Sequence, residues 1–219
     1  MQDSIKIKEV YNKRAKVYDK LMSKIRYHST LKALLNSIEL DIPKDSKILD
    51  LGCGTGLATQ ILSIRYPNSE IIGLDYSEEM LKLYQERFPS IKTIIGDFNQ
   101  QNNFQTFPTK RPILFRPNSF NLIVSTGAVS EYGDIGRVIP FIYKLLKKNG
   151  YFINIGIKRN IMSIVTGKLW HYKPAGRKNL TKVCKKAGFQ GIQNIKIPWK
   201  NFPNNITKFV TLAKKRNSS

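Results

Sequence analysis

Beyond Asp134 the 219-residue sequence contains no aspartate or glutamate. Residues 135–219 therefore carry about half of the 37 Lys/Arg and none of the 15 acids, within a net charge of +22. Such asymmetry would draw an anionic partner, whether RNA, a membrane surface or a phosphorylated substrate, to residues 135–219. A solvated lysine-rich surface is the competing reading. Cysteine is almost missing: Cys53 and Cys184 exclude a disulfide framework, and a reducing cytoplasm is expected. Histidine is equally scarce, and neither His28 nor His171 stands in a metal-ligand spacing, so no metal is expected. No apolar run approaches the roughly 20 residues that span a bilayer. The first residues, Met1-Gln2-Asp3-Ser4, lack the basic-then-apolar order of a secretory leader. Disorder is excluded for the chain as a whole, because 41% of the residues are hydrophobic. The length suits one α/β domain.

What is present centres on Ile48–Gly56, Ile-Leu-Asp-Leu-Gly-Cys-Gly-Thr-Gly. An apolar run stops at Gly52, Gly54 and Gly56, and a helical pattern follows from Leu57: a buried strand, a tight turn and a helix start. Glycine lets a ligand approach the backbone and permits backbone angles that other residues avoid. The free N–H groups of a helix start suit a polar or acidic ligand. A glycine-rich turn without a ligand would show the same residues. A dinucleotide fingerprint would place its third glycine at position 57, where this chain has Leu57.

Asp50 followed by Gly-x-Gly-x-Gly resembles the first motif of the class I S-adenosylmethionine-dependent methyltransferases. That resemblance implies a Rossmann-like mixed α/β sheet of about seven strands, mostly parallel with a closing antiparallel strand and flanked by helices. It also implies S-adenosyl-L-methionine as cofactor, with S-adenosyl-L-homocysteine as product, held by Asp50, Gly52, Cys53, Gly54 and Gly56. A helical pattern over 8–22 contains Tyr11 and Tyr18, which the resemblance makes lid residues over the cofactor; packing the helix down would need the same tyrosines. A second helix is expected from His28 to Ser37. The predicted strand Glu70–Leu74 ends at Asp75, about twenty residues past the glycine turn, where an acid accepts both hydrogen bonds of a ribose diol. Tyr76 would lie against the adenine, and Ser77 with Glu78 and Glu79 reads as a helix N-cap. Strand Ile91–Ile95 leads to Asp97 and Phe98, which the resemblance places at the adenine amino group and ring.

Residues 99–119 read as a long irregular polar stretch, ending in Ser119-Phe120-Asn121 where the family carries an acid at the last position. Strand Phe120–Ser125 runs into Ser125-Thr126 and Ser130-Glu131, beside the place where this family positions the sulfonium and the acceptor. Glu131 and His28 are the candidate proton acceptors, with capping or packing as their plainer roles. The sequence of residues 126–132 is neither the Asn/Asp-Pro-Pro-Tyr/Phe of amino methylation nor a Pro-Cys pair, which disfavours those two reactions. A helix over Ile135–Lys148, a strand over Tyr151–Ile155, a basic and aromatic connection over 158–177, a helix over 178–187 and strands Phe189–Ile197 and Asn205–Ala213 complete the chain. The expected division is a lid (1–40), a cofactor core (44–157), a substrate cap (158–177) and a closing helix with its strand pair (178–213). Three functions follow: methyl transfer to a small or lipid-like acceptor, methylation of RNA through the basic third, or a non-enzymatic regulatory subunit of the same fold.

Overall fold

The computed structural model describes residues 2–161, 163, 171–172 and 175–216. Among them a single sheet runs in the order β5-β4-β3-β2-β1-β6-β7-β9-β8. The strands are β1 (Lys47–Leu51), β2 (Glu70–Asp75), β3 (Lys92–Ile95), β4 (Phe104–Phe107), β5 (Pro112–Ile113), β6 (Phe120–Thr126), β7 (Leu146–Ile157), β8 (Gln190–Ile195) and β9 (Lys208–Lys214). The five strands from β3 to β7 in that order are parallel, whereas β4, β5 and β9 join antiparallel. The chain leaves β1 toward β2 and β3, then crosses back to β6. The sheet therefore has a switch point between β1 and β6, and ligands bind beyond the strand carboxyl ends at such a point.

Both faces of the sheet are covered, which explains why its strands are continuous apolar runs rather than alternating ones. Successive side chains still point to opposite faces. On β1, Ile48 joins Leu31, Leu34, Ile61 and Leu62 from α2 (Tyr27–Ser37) and α3 (Leu57–Arg65). Its neighbours Leu49 and Leu51 join Val138, Ile142 and Leu180 from α6 (Ile135–Leu145) and α7 (Arg177–Lys186), the element numbering including α4 (Glu78–Arg87) and α5 (Val129–Tyr132). Fully burying side chains of this size stabilises by roughly 1.5–3 kcal/mol each.

Several expectations are corrected in detail. Within 99–119, Phe104–Phe107 and Pro112–Ile113 form a hairpin that extends the edge of the sheet, raising the strand count to nine. Phe104 drives this by burying against Phe115 and Phe141, a tertiary contact that a polar local composition conceals. The helix expected to reach Lys148 stops at Leu145, and Leu146 already pairs with Phe120 on β6. Asn121 stands in place of the family's acid because its Oδ1 accepts from Lys47 N and Lys147 Nζ, both at 3.0 Å. The final strand begins only at Lys208, after a helical turn, α8 (Asn204–Thr207). No helix among the described residues is long and apolar enough to cross a membrane.

The first helix, α1 (Gln2–Lys24), lies across the carboxyl ends of the strands and is tied there by four polar contacts. Ser77 Oγ donates to Asn12 Oδ1 at 2.6 Å, and Thr55 Oγ1 donates to Asp19 Oδ1 at 2.6 Å. Asp19 also pairs with Arg87 of α4, and the Tyr11 and Tyr132 hydroxyls bond at 2.8 Å. The clasp reaches the glycine bend itself, since Thr55 belongs to it.

Candidate active site

The three glycines of the bend serve three different ends. Gly52 has φ +77°, and a Cβ there would stand 2.3 Å from Ala128 Cβ, so this glycine lets the bend meet the β6–α5 turn. Gly56 has φ +90°, and a Cβ would stand 2.5 Å from the Phe88 ring, so this one lets α4 close on the helix start. Gly54 has φ +53° and nothing within 4 Å of a Cβ, so its bareness leaves open space. That space is a cleft of about 660 Å³ lined by Gly52, Gly54, Asp75, Tyr76, Asp97 and Phe98, with Thr126 beyond and Tyr11 and Tyr18 of the lid above. Nine of the expected cofactor residues are thus brought together.

Asp75 stands at the tip of β2, buried, with each carboxylate oxygen accepting one backbone hydrogen bond at 2.9 Å, Oδ2 from Gly54 N and Oδ1 from Ser77 N. Burial raises its pKa, while the N–H groups of Ser77, Gly54 and Tyr76 pull it back. Asp75 lines the cleft, and a carboxylate offers about four acceptor sites in all, more than these N–H groups occupy. At the tip of β3, Asp97 Oδ1 accepts from Asn99 N and Nδ2 at 2.8 and 2.9 Å. Asn99 in turn bonds Tyr132 O and Asp134 N, joining this tip to the loop after α5.

Four expected cofactor residues do not line the cleft. Asp50 is fully buried behind the bend, with Oδ2 accepting from Thr59 Oγ1 at 2.7 Å and Oδ1 unpartnered. Burial pushes its carboxyl up to about 7, more than the Thr59 hydrogen bonds hold it down. Cys53 packs with Leu81, Tyr84 and Ile95 beneath the bend. Gly56 acts through helix packing. Ser125 turns inward, its Oγ accepting from Val129 N at 3.1 Å. Asp50 and Ser125 are strand residues whose side chains are buried, Cys53 packs beneath the bend, and Gly56 has no side chain to offer.

A second, larger cavity of about 920 Å³ opens on the other side of Tyr11, Tyr18, Gly127 and Tyr132, which line both spaces. Its remaining wall includes Met22, Ile25, Tyr27, Glu131, Ile157, Tyr172 and Lys208. Glu131 is buried here. Its carboxylate accepts from Ser130 Oγ and from Ile157 N, and burial raises its pKa more than nearby Lys208 lowers it. The tyrosines form a continuous cluster, with ring centroids 6.1 Å apart for Tyr11–Tyr18, 5.7 Å for Tyr11–Tyr132 and 6.1 Å for Tyr132–Tyr172. Burial is the leading cause that lifts the Tyr11, Tyr18 and Tyr132 hydroxyls above the usual phenol range, so they stay neutral donors and acceptors.

His28, expected as a candidate proton acceptor, lines neither of these two cavities. α2 begins one residue earlier than expected, at Tyr27, and it is Tyr27 that faces the second cavity. Consecutive helical residues diverge by about 100°, so His28 is carried away from that wall. Sequence reasoning missed Asn99 and Lys208, which carry no local signal of their place in the two walls, whereas Tyr132 and Tyr172 lie in the 126–132 and 158–177 stretches that it set beside the substrate. Of the 158–177 connection, residues 162, 164–170 and 173–174 lie outside the described residues, including Lys168, Trp170 and Lys173.

Comparison with known proteins identifies this arrangement. A family model described as a methyltransferase domain matches residues 42–202. The trans-aconitate 2-methyltransferase of Variovorax paradoxus is 38% identical over 109 residues, 50% of this chain and 38% of that enzyme. The chain spans about half or less of the length of this and another curated relative, 54% in the other case. Among solved structures, a chain from the complex of the Haloferax volcanii Trm112 methyltransferase activator with a candidate methyltransferase superposes with a TM-score of 0.74 at 18% identity. The superposition covers 94% of this chain and 98% of that one. The geranyl diphosphate C-methyltransferase of Streptomyces coelicolor, solved with S-adenosyl-L-homocysteine, gives a TM-score of 0.67 at 11% identity, covering 85% and 75%. At these identities the two structures speak for the fold.

Proposed function

The chain belongs to the methyltransferase-domain family, within the class I S-adenosylmethionine-dependent methyltransferases, and from that premise we propose that it methylates a small-molecule or lipid-like acceptor seated in the second cavity. The observation that carries this reading is the shared wall: Tyr11, Tyr18, Gly127 and Tyr132 border both spaces. The residues of the first cleft suit the cofactor, because Gly54 leaves a cradle that a Cβ would fill and Asp75 keeps acceptor capacity on both oxygens. S-adenosylmethionine, when bound, supplies an electrophilic methyl group on a sulfonium. In this reading Asp75 holds the ribose hydroxyls, Asp97 the adenine amino group, and Tyr76 and Phe98 flank the ring.

The protein's contribution is alignment and exclusion of water. Orienting two reactants can supply roughly 7–11 kcal/mol of a barrier. The α1 clasp through Asn12, Asp19 and Tyr11 closes the site from above. Glu131 lines the acceptor cavity, and its raised proton affinity suits it to take a proton from an acceptor that must lose one. Walls drawn from α1, α2, the end of β7 and the turn before β9 enclose the acceptor space, which favours a small acceptor over a polynucleotide. The small molecules in the names of the relatives point the same way. Titration calorimetry with S-adenosyl-L-homocysteine tests the reading: one molecule is expected to bind per chain, and an absence of binding would remove it.

A further inference from the structure

The second cavity holds a charge that methyl transfer as described does not use. Lys208, the first residue of β9, lines it, and its Nζ sits 4.8 Å from the centroid of the Tyr27 ring. The neighbouring Lys158 finds an oxygen acceptor, its Nζ donating to Asn205 O at 2.7 Å. Lys208 makes no hydrogen bond or ion pair among the described residues. Glu131 does not neutralise it by contact, since its carboxylate is taken by Ser130 Oγ and Ile157 N. The carboxylate of this cavity is satisfied by hydrogen bonds and the ammonium is not.

A half-buried ammonium in a largely apolar wall carries a desolvation cost that an aromatic ring offsets only in part, because a ring face cannot saturate three N–H donors. A carboxylate or phosphate oxygen would do so with charge-assisted hydrogen bonds. Lys208 belongs to the second cavity alone, whereas Gly127 and Tyr132 border both. Tyr27 and Ile157 line the same second cavity and suit an apolar or aromatic body. We infer that Lys208 is the anion anchor of the methyl acceptor: the acceptor carries a carboxylate or phosphate that docks on Lys208 and presents a different atom for methylation at the Gly127–Tyr132 wall. The inference rests on the methyl-transfer reading, and it means that the methylated product keeps its negative charge.

Phenylacetate and phenyl phosphate, with phenylacetamide as the neutral counterpart, probe the cavity in the full chain saturated with S-adenosyl-L-homocysteine. Ligand-observed NMR gives their relative affinities. At least one anion is expected to bind about tenfold or more tightly than the amide, and the two anions separate a carboxylate from a phosphate preference. Lys208→Gln should abolish the preference and Lys208→Arg should retain most of it. Lys208→Met serves as a second neutral variant if Lys208→Gln misfolds. Affinity for S-adenosyl-L-homocysteine should stay within twofold of the parent in all variants. A preference below threefold in the parent, or one that survives in the neutral variants, overturns the inference. Loss of S-adenosyl-L-homocysteine binding in the parent would instead overturn the cofactor reading, so the two failures are distinguishable.

Discussion

The two cavities are built by opposite strategies. The first cleft is made largely of backbone and of strand tips that follow one another in sequence: the Gly52–Gly54 bend, Asp75–Tyr76 and Asp97–Phe98. The second cavity is assembled from side chains of α1, the first residue of α2, the end of β7 and the segment from Pro203 to Lys208, among others. The first needs particular residues because it must hold backbone angles and a fixed set of hydrogen-bond acceptors. The second needs only a wall of suitable size and polarity, which many residues can provide. A fold of this kind can thus retain one cleft while the other takes up a different acceptor.

The sharpest way to separate the two is Asp75→Ala. With each charge-assisted hydrogen bond worth about 1.5–3 kcal/mol, losing a pair should weaken S-adenosyl-L-homocysteine binding at least about 100-fold in calorimetry. Anion binding in the second cavity should survive; its loss would show the cavities to be one site. A smaller effect is expected from Gly52→Ala. Its φ of +77° and the 2.3 Å approach to Ala128 Cβ predict destabilisation of about 2–4 kcal/mol, read as a lower midpoint in urea. Because Ala128 borders the first cleft, cofactor-product affinity should fall as well.

The smallest effect tests the ground beneath the bend. Asp50 is held at a pKa of about 7 by burial, above its value in the unfolded chain. The folded state then binds more protons than the unfolded one at intermediate pH, so stability declines as pH rises through that window. Asp75 and Glu131 are shifted in the same direction and add to the trend. Asp50→Asn should flatten the pH dependence of the denaturation midpoint, by less than about 1 kcal/mol between pH 6 and 7. An unchanged slope would assign the pH dependence to the other two carboxyls.

Strand-bend-helix punctuation and an acid at each of two strand ends were enough to read the sheet core and to pick out residues that gather at the first cleft. Local pattern failed where a residue's role depends on its partner. Phe104 looks like part of a polar loop until Phe115 and Phe141 bury it, which is why the edge hairpin was missed. Asp50 and Cys53 belong to the same short motif as Gly54, yet both are buried while Gly54 borders the first cleft.

By itself, the sequence determined the parallel core, the glycine bend and the acidic tips, because each is encoded within a few neighbouring residues by chain geometry and the need to bury apolar runs. Tertiary structure alone decided that Tyr27 rather than His28 faces the second cavity, that Glu131 lies in its wall, and that Lys208 meets Tyr27 there. Those positions depend on how α1, α2 and β9 pack over the strand ends. Residues separated by most of the chain carry no local signal of their encounter.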